Sequence, residues 1–206
     1  GLVAKTEGEL KGKAIVMSIH AGDFATLTPQ KGYTTDFTTK EGNDLQAKYK
    51  GGNTAPSLMA NRSNVPALAA KWDGIIDSLN KANFYDDPVV KFKIRNIYNQ
   101  SIKTGRVDID VKFLKQYSGE DFVMGVYITE DHVIAMQTDY AQTPKDIPNY
   151  DHRHVLRTAV TPTFGASFYS GNVSVNQEKS ASYCYEIKQE WNGDNCSIII
   201  FLGNAN

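Results

Sequence analysis

The sequence is poor in the residues and motifs that carry redox, metal or nucleophilic chemistry. Only two of its 206 residues are cysteines, and no Cys-x-x-Cys pair occurs. Nucleophile elbows, glycine-rich phosphate loops and the His-Glu-x-x-His zinc motif are also missing. These absences predict that the chain carries no catalytic residue, no cofactor site and no metal site.

Charge and hydropathy argue against a nucleic-acid partner and against a membrane-spanning helix. Lysine and arginine together number 22, and aspartate and glutamate 23, so the formal net charge is -1. Without a field of one sign, binding to nucleic acid or to an anionic lipid surface is disfavoured. No apolar run is long enough for a membrane-spanning helix. We therefore predict no nucleic-acid partner and no spanning helix in this chain.

The first half of the chain shows the alternation of an α/β layer. The apolar run Ala14–His20 predicts a strand that is buried on both faces. Thr38, with a glutamate three residues later, is a capping-box pattern and predicts a helix over Thr39–Lys50. A short strand over Pro56–Ala60 follows, and apolar residues spaced three and four apart then predict a helix over Val65–Lys81. This order of elements is typical of half of a thioredoxin-like α/β domain.

A strict two-residue alternation replaces the helical spacing after residue 86. Apolar residues at every second position of Val107–Phe113, with a charged residue between each two of them, predict a strand with one buried and one solvated face. Further strands are predicted over residues 90–95, 122–129, 132–137, 172–176, 182–190 and 196–202. The chain is therefore predicted to hold two domains, the α/β lobe over residues 1–86 and an antiparallel β-sandwich over residues 87–206. Residues 143–163 interrupt the alternation as an excursion that contains a helix-like segment, Arg153–Arg157.

Several polar residues are candidates for a site, and each has a structural alternative. His152 and His154 are two residues apart, a spacing that on a strand places both imidazoles on one face and could hold a divalent metal, but the local sequence offers no third ligand. His20 follows a buried strand, where active-site residues of α/β folds lie, or it simply bonds to the adjoining loop. Three carboxylates lie near the same edge: Asp36, Glu41 and Asp44. Capping and the helix dipole explain Glu41 and Asp44.

Aromatic residues are concentrated around the excursion, interleaved with asparagine, serine and glycine. They predict a contact surface for a protein or glycan ligand. The alternative is that they pack the excursion onto the sandwich. The five residues are Tyr140, Tyr150, Phe164, Phe168 and Tyr169.

The two cysteines are predicted to be free. If Gly193 and Asp194 form a two-residue turn, Cys184 faces Gly203 across a hairpin, and Cys196 lies about 23 Å along the strand at about 3.3 Å per residue. A disulfide requires Cα atoms closer than about 7 Å. We therefore expect two buried thiols that pack as small apolar side chains.

A set of short motifs extends over nearly the whole chain: Ile19–Ala25, Tyr33–Phe37, Pro56–Ser57, Asn61–Arg62, His154–Arg157, Trp191–Asn192, Asp194–Cys196 and Phe201. In order and spacing they resemble the family related to outer membrane protein twenty-eight, which comprises surface lipoproteins of Gram-negative anaerobes that are described as adhesins or receptors. The resemblance implies a thioredoxin-like module followed by an immunoglobulin-like β-sandwich. It also implies localisation at the cell outer membrane through a lipid anchor outside this chain.

The same resemblance assigns a structural role to one proline. Pro56 would occupy the position of the cis-proline that faces the redox pair in thioredoxins. Relatives typically carry, upstream of the position where this chain starts, a lipidation signal and often a Cys-x-x-Cys-Pro segment. Leu2–Leu10 looks like the end of the helix that follows such a segment, so we expect the first part of the module to be missing here.

Two functions are compatible with these observations. The first is a noncatalytic lipoprotein of the outer membrane that acts as a binding or adhesion module for a protein or glycan. The alternative is a thiol-disulfide oxidoreductase whose Cys-x-x-Cys pair lies upstream of this chain. A reactive thiolate needs a cysteine with a lowered pKa at a helix start, and the sequence offers none there.

Overall fold

The computed structural model of this chain describes residues 8, 10, 12–49, 56–61, 67–68, 71–81 and 87–205. The helices are α1 Lys40–Tyr49 and α2 Trp72–Lys81. The strands are β1 Ser57–Leu58, β2 Ala67–Leu68, β3 Val90–Asn99, β4 Thr104–Phe113, β5 Tyr117–Glu130, β6 Val133–Thr138, β7 Asp146–His152, β8 Val155–Ala159, β9 Ala166–Val173, β10 Glu178–Glu186 and β11 Cys196–Asn204. The protein is therefore mostly antiparallel β-sheet with few helices. Neither α1 nor α2 is long and apolar enough to cross a membrane.

The chain forms two compact units, and each unit is built from two separate stretches of the sequence. Unit 1 comprises Gly1–Ala82 and Thr129–Thr158, and unit 2 comprises Asn83–Ile128 and Ala159–Asn206. This division differs from the predicted domains over residues 1–86 and 87–206, because Thr129–Thr158 group with the N-terminal residues.

In unit 1, the run Ala14–His20 is not the doubly buried strand that its composition predicts. It makes isolated parallel bridges at two residues, Ser18 with Val155 and His20 with Thr38. The Ile15 side chain is exposed. An apolar run of this length fits a buried strand, but burial depends on neighbouring segments that the run itself does not specify.

Helix α1 begins one residue later than the capping pattern predicts. The Gly42 N–H donates to Thr39 Oγ1 over 2.9 Å, so Thr39 is the capping residue. The Thr38 hydroxyl instead donates to Asp36 Oδ1 over 2.7 Å. The predicted capping box at Thr38 is therefore wrong, although the helix itself is confirmed.

The helix predicted over Val65–Lys81 is confirmed only in its second half. Ala67–Leu68 form β2 and pair antiparallel with Ser57–Leu58 of β1. Helix α2 occupies Trp72–Lys81, and Ile76 is its buried residue. The strand predicted over Pro56–Ala60 narrows to the two residues of β1. The pairing with β1 overrides the helical spacing at Leu68.

Strands β6 and β7 form an antiparallel hairpin in unit 1, and a turn then leads into β8. His154 lies in this turn with a φ of 54°, in the left-handed region. The His154 N–H donates to Asp131 Oδ1 over 2.6 Å. The helix-like interpretation of Arg153–Arg157 is therefore wrong, because a left-handed residue at its second position ends one strand and Val155 begins the next.

Unit 2 contains a β-sandwich, as the alternation predicts. One sheet has the strand order β10-β4-β3, and in the other β5 pairs with β9 and β11. Every second side chain of β4 is completely buried between the sheets: Val107, Ile109, Val111 and Phe113. These residues pack against Phe122, Met124 and Val126 of β5 and Val173 of β9. The sandwich is therefore held by the two-residue periodicity of its strands.

Both cysteines are free, as predicted, but not for the predicted reason. Strand β10 pairs with β4 rather than with β11, and Gly193–Asn195 is a short 3₁₀ turn, so no β10–β11 hairpin exists. Cys184 is exposed and lies opposite Arg106, whereas Cys196 is half-buried. The expectation that both thiols are buried is therefore wrong.

Gly125 in β5 is expected to be intolerant of substitution. A Cβ there would lie 1.9 Å from Cζ of Phe201, whose ring also contacts Tyr127 with centroids 5.2 Å apart. The change Gly125→Ala should lower the free energy of unfolding by about 2 kcal/mol, because the ring must leave its position. Urea unfolding measures this loss. In a Phe201→Ala background the same change should cost much less, and an equal cost in both backgrounds would contradict the steric explanation.

Candidate functional site

Titratable and aromatic side chains of unit 1 pack around Phe37 in a group that we call the histidine cluster: His20, Phe37, Tyr150 and His152. The Phe37 ring centroid lies 4.8 Å from that of His20 and 4.6 Å from that of His152. The two imidazole centroids are 5.6 Å apart, and the Tyr150 ring meets His152 edge-on at 4.9 Å. The cluster joins three segments that are distant in sequence.

Backbone contacts hold these segments in place. His20 bridges Thr38 in parallel, and the Asp36 carboxylate accepts from the Thr38 N–H over 2.8 Å, which fixes the backbone next to Phe37. His152 ends β7 and pairs with Val133 of β6. The sequence therefore folds each cluster residue onto a strand end or a bridged segment rather than onto an open loop.

Burial keeps both imidazoles of the cluster neutral at neutral pH. Burial first, and then the neighbouring His152 and Arg157, lower the pKa of His20 to about 4. Burial also lowers the pKa of His152, although backbone hydrogen bonds and the Asp151 carboxylate act in the opposite direction. Nδ1 of His20 and Nε2 of His152 are buried without a hydrogen-bond partner. The cluster therefore disfavours proton uptake.

A buried ion pair lies beside the cluster. Arg157 Nε donates to Glu130 Oε2 over 2.7 Å, and both side chains are largely buried. The Arg157 guanidinium also lies 5.8 Å from the centroid of the Phe37 ring. The Arg157 guanidinium also helps to keep His20 neutral.

The metal site considered for His152 and His154 does not form in the described part of the chain. The His152 side chain packs in the cluster, whereas His154 lies in the turn after β7 with its Nδ1 3.1 Å from Asp131 Oδ1. Among the described residues no group of three or more His, Cys, Asp and Glu side chains could hold a metal. His20 lies in the packed cluster, and Asp36 caps the backbone at Thr38.

The five residues of the predicted contact surface are divided between the two units. In unit 1, Tyr140 is 85% exposed, with Lys145 Nζ 5.4 Å from its ring centroid, and Tyr150 packs on His152. In unit 2, Phe168 and Tyr169 pack against the sandwich core, and Phe164 is half-buried. Binding through these residues stays a prediction.

The cis-proline expectation at Pro56 lies outside the described residues. The bond in question joins Pro56 to residue 55, which the structure does not describe. The same holds for most of Leu2–Leu10. Both expectations stay predictions.

The solvated face of sheet β10-β4-β3 in unit 2 carries a shallow groove, which we call the charged groove. Its lining residues are Lys93, Arg95, Arg106, Asp108, Asp110 and Ser182. Asp108 is its centre: it accepts from Arg95 Nη2 over 2.6 Å and from Ser182 Oγ over 2.7 Å, and Arg106 Nε lies 3.0 Å away. The hydrogen bonds from Arg95 and then Ser182 and Arg106 lower the pKa of Asp108 to about 2. The groove therefore presents fixed charges of both signs at neutral pH.

The charged groove was missed in the sequence, although its residues were visible there. Lys93 and Arg95 alternate with apolar residues on β3, as do Asp108 and Asp110 on β4. The missing information was the register, which places Arg95 opposite Asp108 and Lys93 opposite Asp110. In the sequence alone, the aromatic residues are the pattern that predicts a contact surface.

Acid should destabilise unit 1 through His20. Above about pH 6.5 the imidazole is neutral in both states, and below that pH the unfolded chain takes up a proton that the folded protein accepts only near pH 4. The free energy of unfolding should therefore fall between these pH values, by up to about 3 kcal/mol from this group. Denaturant unfolding at a series of pH values measures the slope. The slope of the free energy of unfolding against pH should become smaller in His20→Gln. It should persist in the control variant His132→Gln, because the His132 side chain is half exposed. An unchanged slope in His20→Gln would contradict the assignment.

Comparison with known proteins places the chain among envelope proteins. No curated protein matches it. HBP35 of Porphyromonas gingivalis is similar in structure, with a TM-score of 0.58 at 10% sequence identity. The similarity covers 78% of this chain and 51% of HBP35, so the chain spans about half the length of that protein, and at this identity the likeness concerns the fold alone. The family described as outer membrane protein Omp28 matches residues 43–206, and the chain belongs to this family of outer membrane proteins.

Proposed function

We propose that the chain is a noncatalytic binding or adhesion module of the outer membrane and that it recognises a protein or glycan ligand. The charged groove of unit 2 carries the proposal. It lies on paired strands, is open to solvent, and offers donors and acceptors at fixed positions. Membership in an outer membrane protein family supports a location where such a ligand is met.

The groove is suited to recognition because its side chains are already held in place. Arg95, Arg106 and Ser182 all bond to Asp108, and Ser180 Oγ donates to Asp110 Oδ1 over 2.6 Å. Side chains that are ordered before binding lose less conformational entropy when a ligand arrives. Both a polypeptide and a sugar present the hydroxyl, amide or carboxylate groups that this mixture of charges can bind.

A thioredoxin-like origin of unit 1 and an immunoglobulin-like topology of unit 2 are part of the proposal. The parallel bridges of Ser18 and His20 and the helices α1 and α2 support the first. The two packed antiparallel sheets support the second. The alternative function, an oxidoreductase with an upstream cysteine pair, gains no support from Cys184 or Cys196, which lie on strands of different sheets.

The lipid anchor that we propose for the full-length protein can be tested directly. Native protein isolated from membranes should carry acyl chains on a cysteine upstream of Leu2. Intact-mass spectrometry, followed by fragmentation of the N-terminal peptide, should show this added mass. An unmodified N-terminus on protein from the membrane fraction would contradict the anchor.

Disruption of the charged groove should weaken ligand binding. The paired change Arg106→Ala with Asp108→Ala keeps the net charge and should weaken binding to the cognate matrix protein or glycan at least about tenfold, because it removes the centre of the groove. Surface plasmon resonance with the intact protein, after a screen of matrix proteins and glycans, measures the affinity. Tyr140→Ala is the contrasting variant: loss of binding there, with the groove variant unaffected, would favour the aromatic surface, and no ligand in the screen alongside measured catalysis would overturn the proposal.

A further inference from the structure

Strand β3 is an edge strand with an open side. It is last in the order β10-β4-β3 and pairs with β4 over all ten of its residues without a shift in register. Within the part of the chain that the structure describes, no strand pairs with its other side. A long strand edge without a bulge or an internal proline is a template for another extended chain.

The register shows which amides of β3 face the open side. The Leu114 N–H donates to the Val89 carbonyl over 2.9 Å, and this pair continues the β3–β4 register. Bonded residues alternate along an antiparallel pair, so odd-numbered residues of β3 bond to β4. The backbone N–H and C=O groups of Phe92, Ile94 and Asn96 therefore point to the open side.

Side chains on both faces of β3 are available to an incoming strand. Ile94 is 51% exposed on the face that carries Ile109, and Ile97 is 50% exposed on the solvated face. Lys91 and Lys93 lie on the solvated face, and neither forms an ion pair with a described residue, whereas Arg95 is paired with Asp108. The edge thus combines exposed apolar groups with two lysines that form no ion pair among the described residues.

We propose that the open edge of β3 binds an extended segment of a partner protein by strand addition, and that this segment carries acidic residues at alternate positions. Alternate side chains of an added strand lie on one face of the sheet, so the acidic residues would stand beside Lys91 and Lys93. Main-chain hydrogen bonds to Phe92, Ile94 and Asn96 would supply affinity, and the lysines would select the partner. The inference rests on the proposed binding function and names the class of ligand for the region around the charged groove.

A second copy of the chain fits this edge less well. Two antiparallel pairings of β3 with β3 overlap equally, and the one centred on Arg95 places Arg95 opposite Arg95 of the second copy. The other is centred on Ile94. It places Lys93 opposite Arg95 of the second copy on the same face. Like charges directly opposite each other destabilise a strand pair.

A labelled peptide tests the proposal on the intact protein. The probe is a fluorescein-labelled ten-residue peptide that alternates glutamate with valine, and the control peptide has lysine in place of glutamate. Fluorescence polarisation should show binding of the glutamate peptide only. Lys91→Glu with Lys93→Glu should weaken it about tenfold and allow the lysine peptide to bind.

Hydrogen exchange distinguishes strand addition from attraction by charge alone. Peptide binding should slow exchange at the amides of Phe92, Ile94 and Asn96, while those of Lys91 and Lys93 are already bonded within the sheet. Ile94→Pro removes an edge donor and keeps the bonds to β4, so it should weaken binding. The matched control is Cys184→Pro on the open side of β10, where the Phe113 N–H bond to the Gln177 carbonyl shows that even-numbered residues face outward.

Each contrary result has a defined meaning. No binding of the glutamate peptide, equal binding by the Lys91→Glu, Lys93→Glu variant, or binding without slower exchange at the three edge amides would overturn the proposal. Dimerisation of the protein through β3, detected by sedimentation and abolished by Ile94→Pro, would overturn it in favour of a second copy. If matrix or glycan binding persists while the peptide fails, only this inference is lost; if both fail, the proposed function is lost as well.

Discussion

The two-residue periodicity of β4 is the constraint on which the rest of unit 2 depends. Val107, Ile109, Val111 and Phe113 are fully buried, and the residues between them face solvent. Because β4 lies between β3 and β10, its register sets the facing residues of both neighbours. A slip by one residue would bury Asp108 and Asp110 and expose the core side chains, so the pairing is strongly specified. The same register assembles the charged groove and directs every second amide of β3 away from the sheet.

Much of unit 2 could be predicted, because a strand with one buried and one solvated face alternates apolar and polar residues in its own sequence. The alternation along Val107–Phe113 was sufficient to predict a sandwich strand without knowing its neighbours. Unit 1 was harder, since its short elements depend on contacts that local patterns do not contain. Leu68 has helical spacing to Trp72 but pairs with Ser57 in a strand. The segment Arg153–Arg157 looks helical until the left-handed turn at His154 is known.

The two candidate sites were hidden from the sequence for different physical reasons. The histidine cluster brings His20 and Phe37 together with His152, a residue more than a hundred positions away, and nothing in the spacing of these residues indicates that they meet. The charged groove needs only the relative register of β3, β4 and β10, which the alternation of each strand leaves undetermined. The cluster is packed and neutral, and so it behaves as a structural element, whereas the groove keeps its charges in water. Our proposal therefore assigns recognition to the sheet face and structural support to the imidazoles.

The unequal exposure of the two thiols provides a built-in reporter. Cys184 stands open to water on the solvated face of β10, opposite Arg106, while Cys196 is half covered. A maleimide dye or nitroxide supplied in limiting amount would thus attach next to the groove without any engineered mutation. Its emission or spectral line shape would then register the arrival of a ligand on that face of the natural protein.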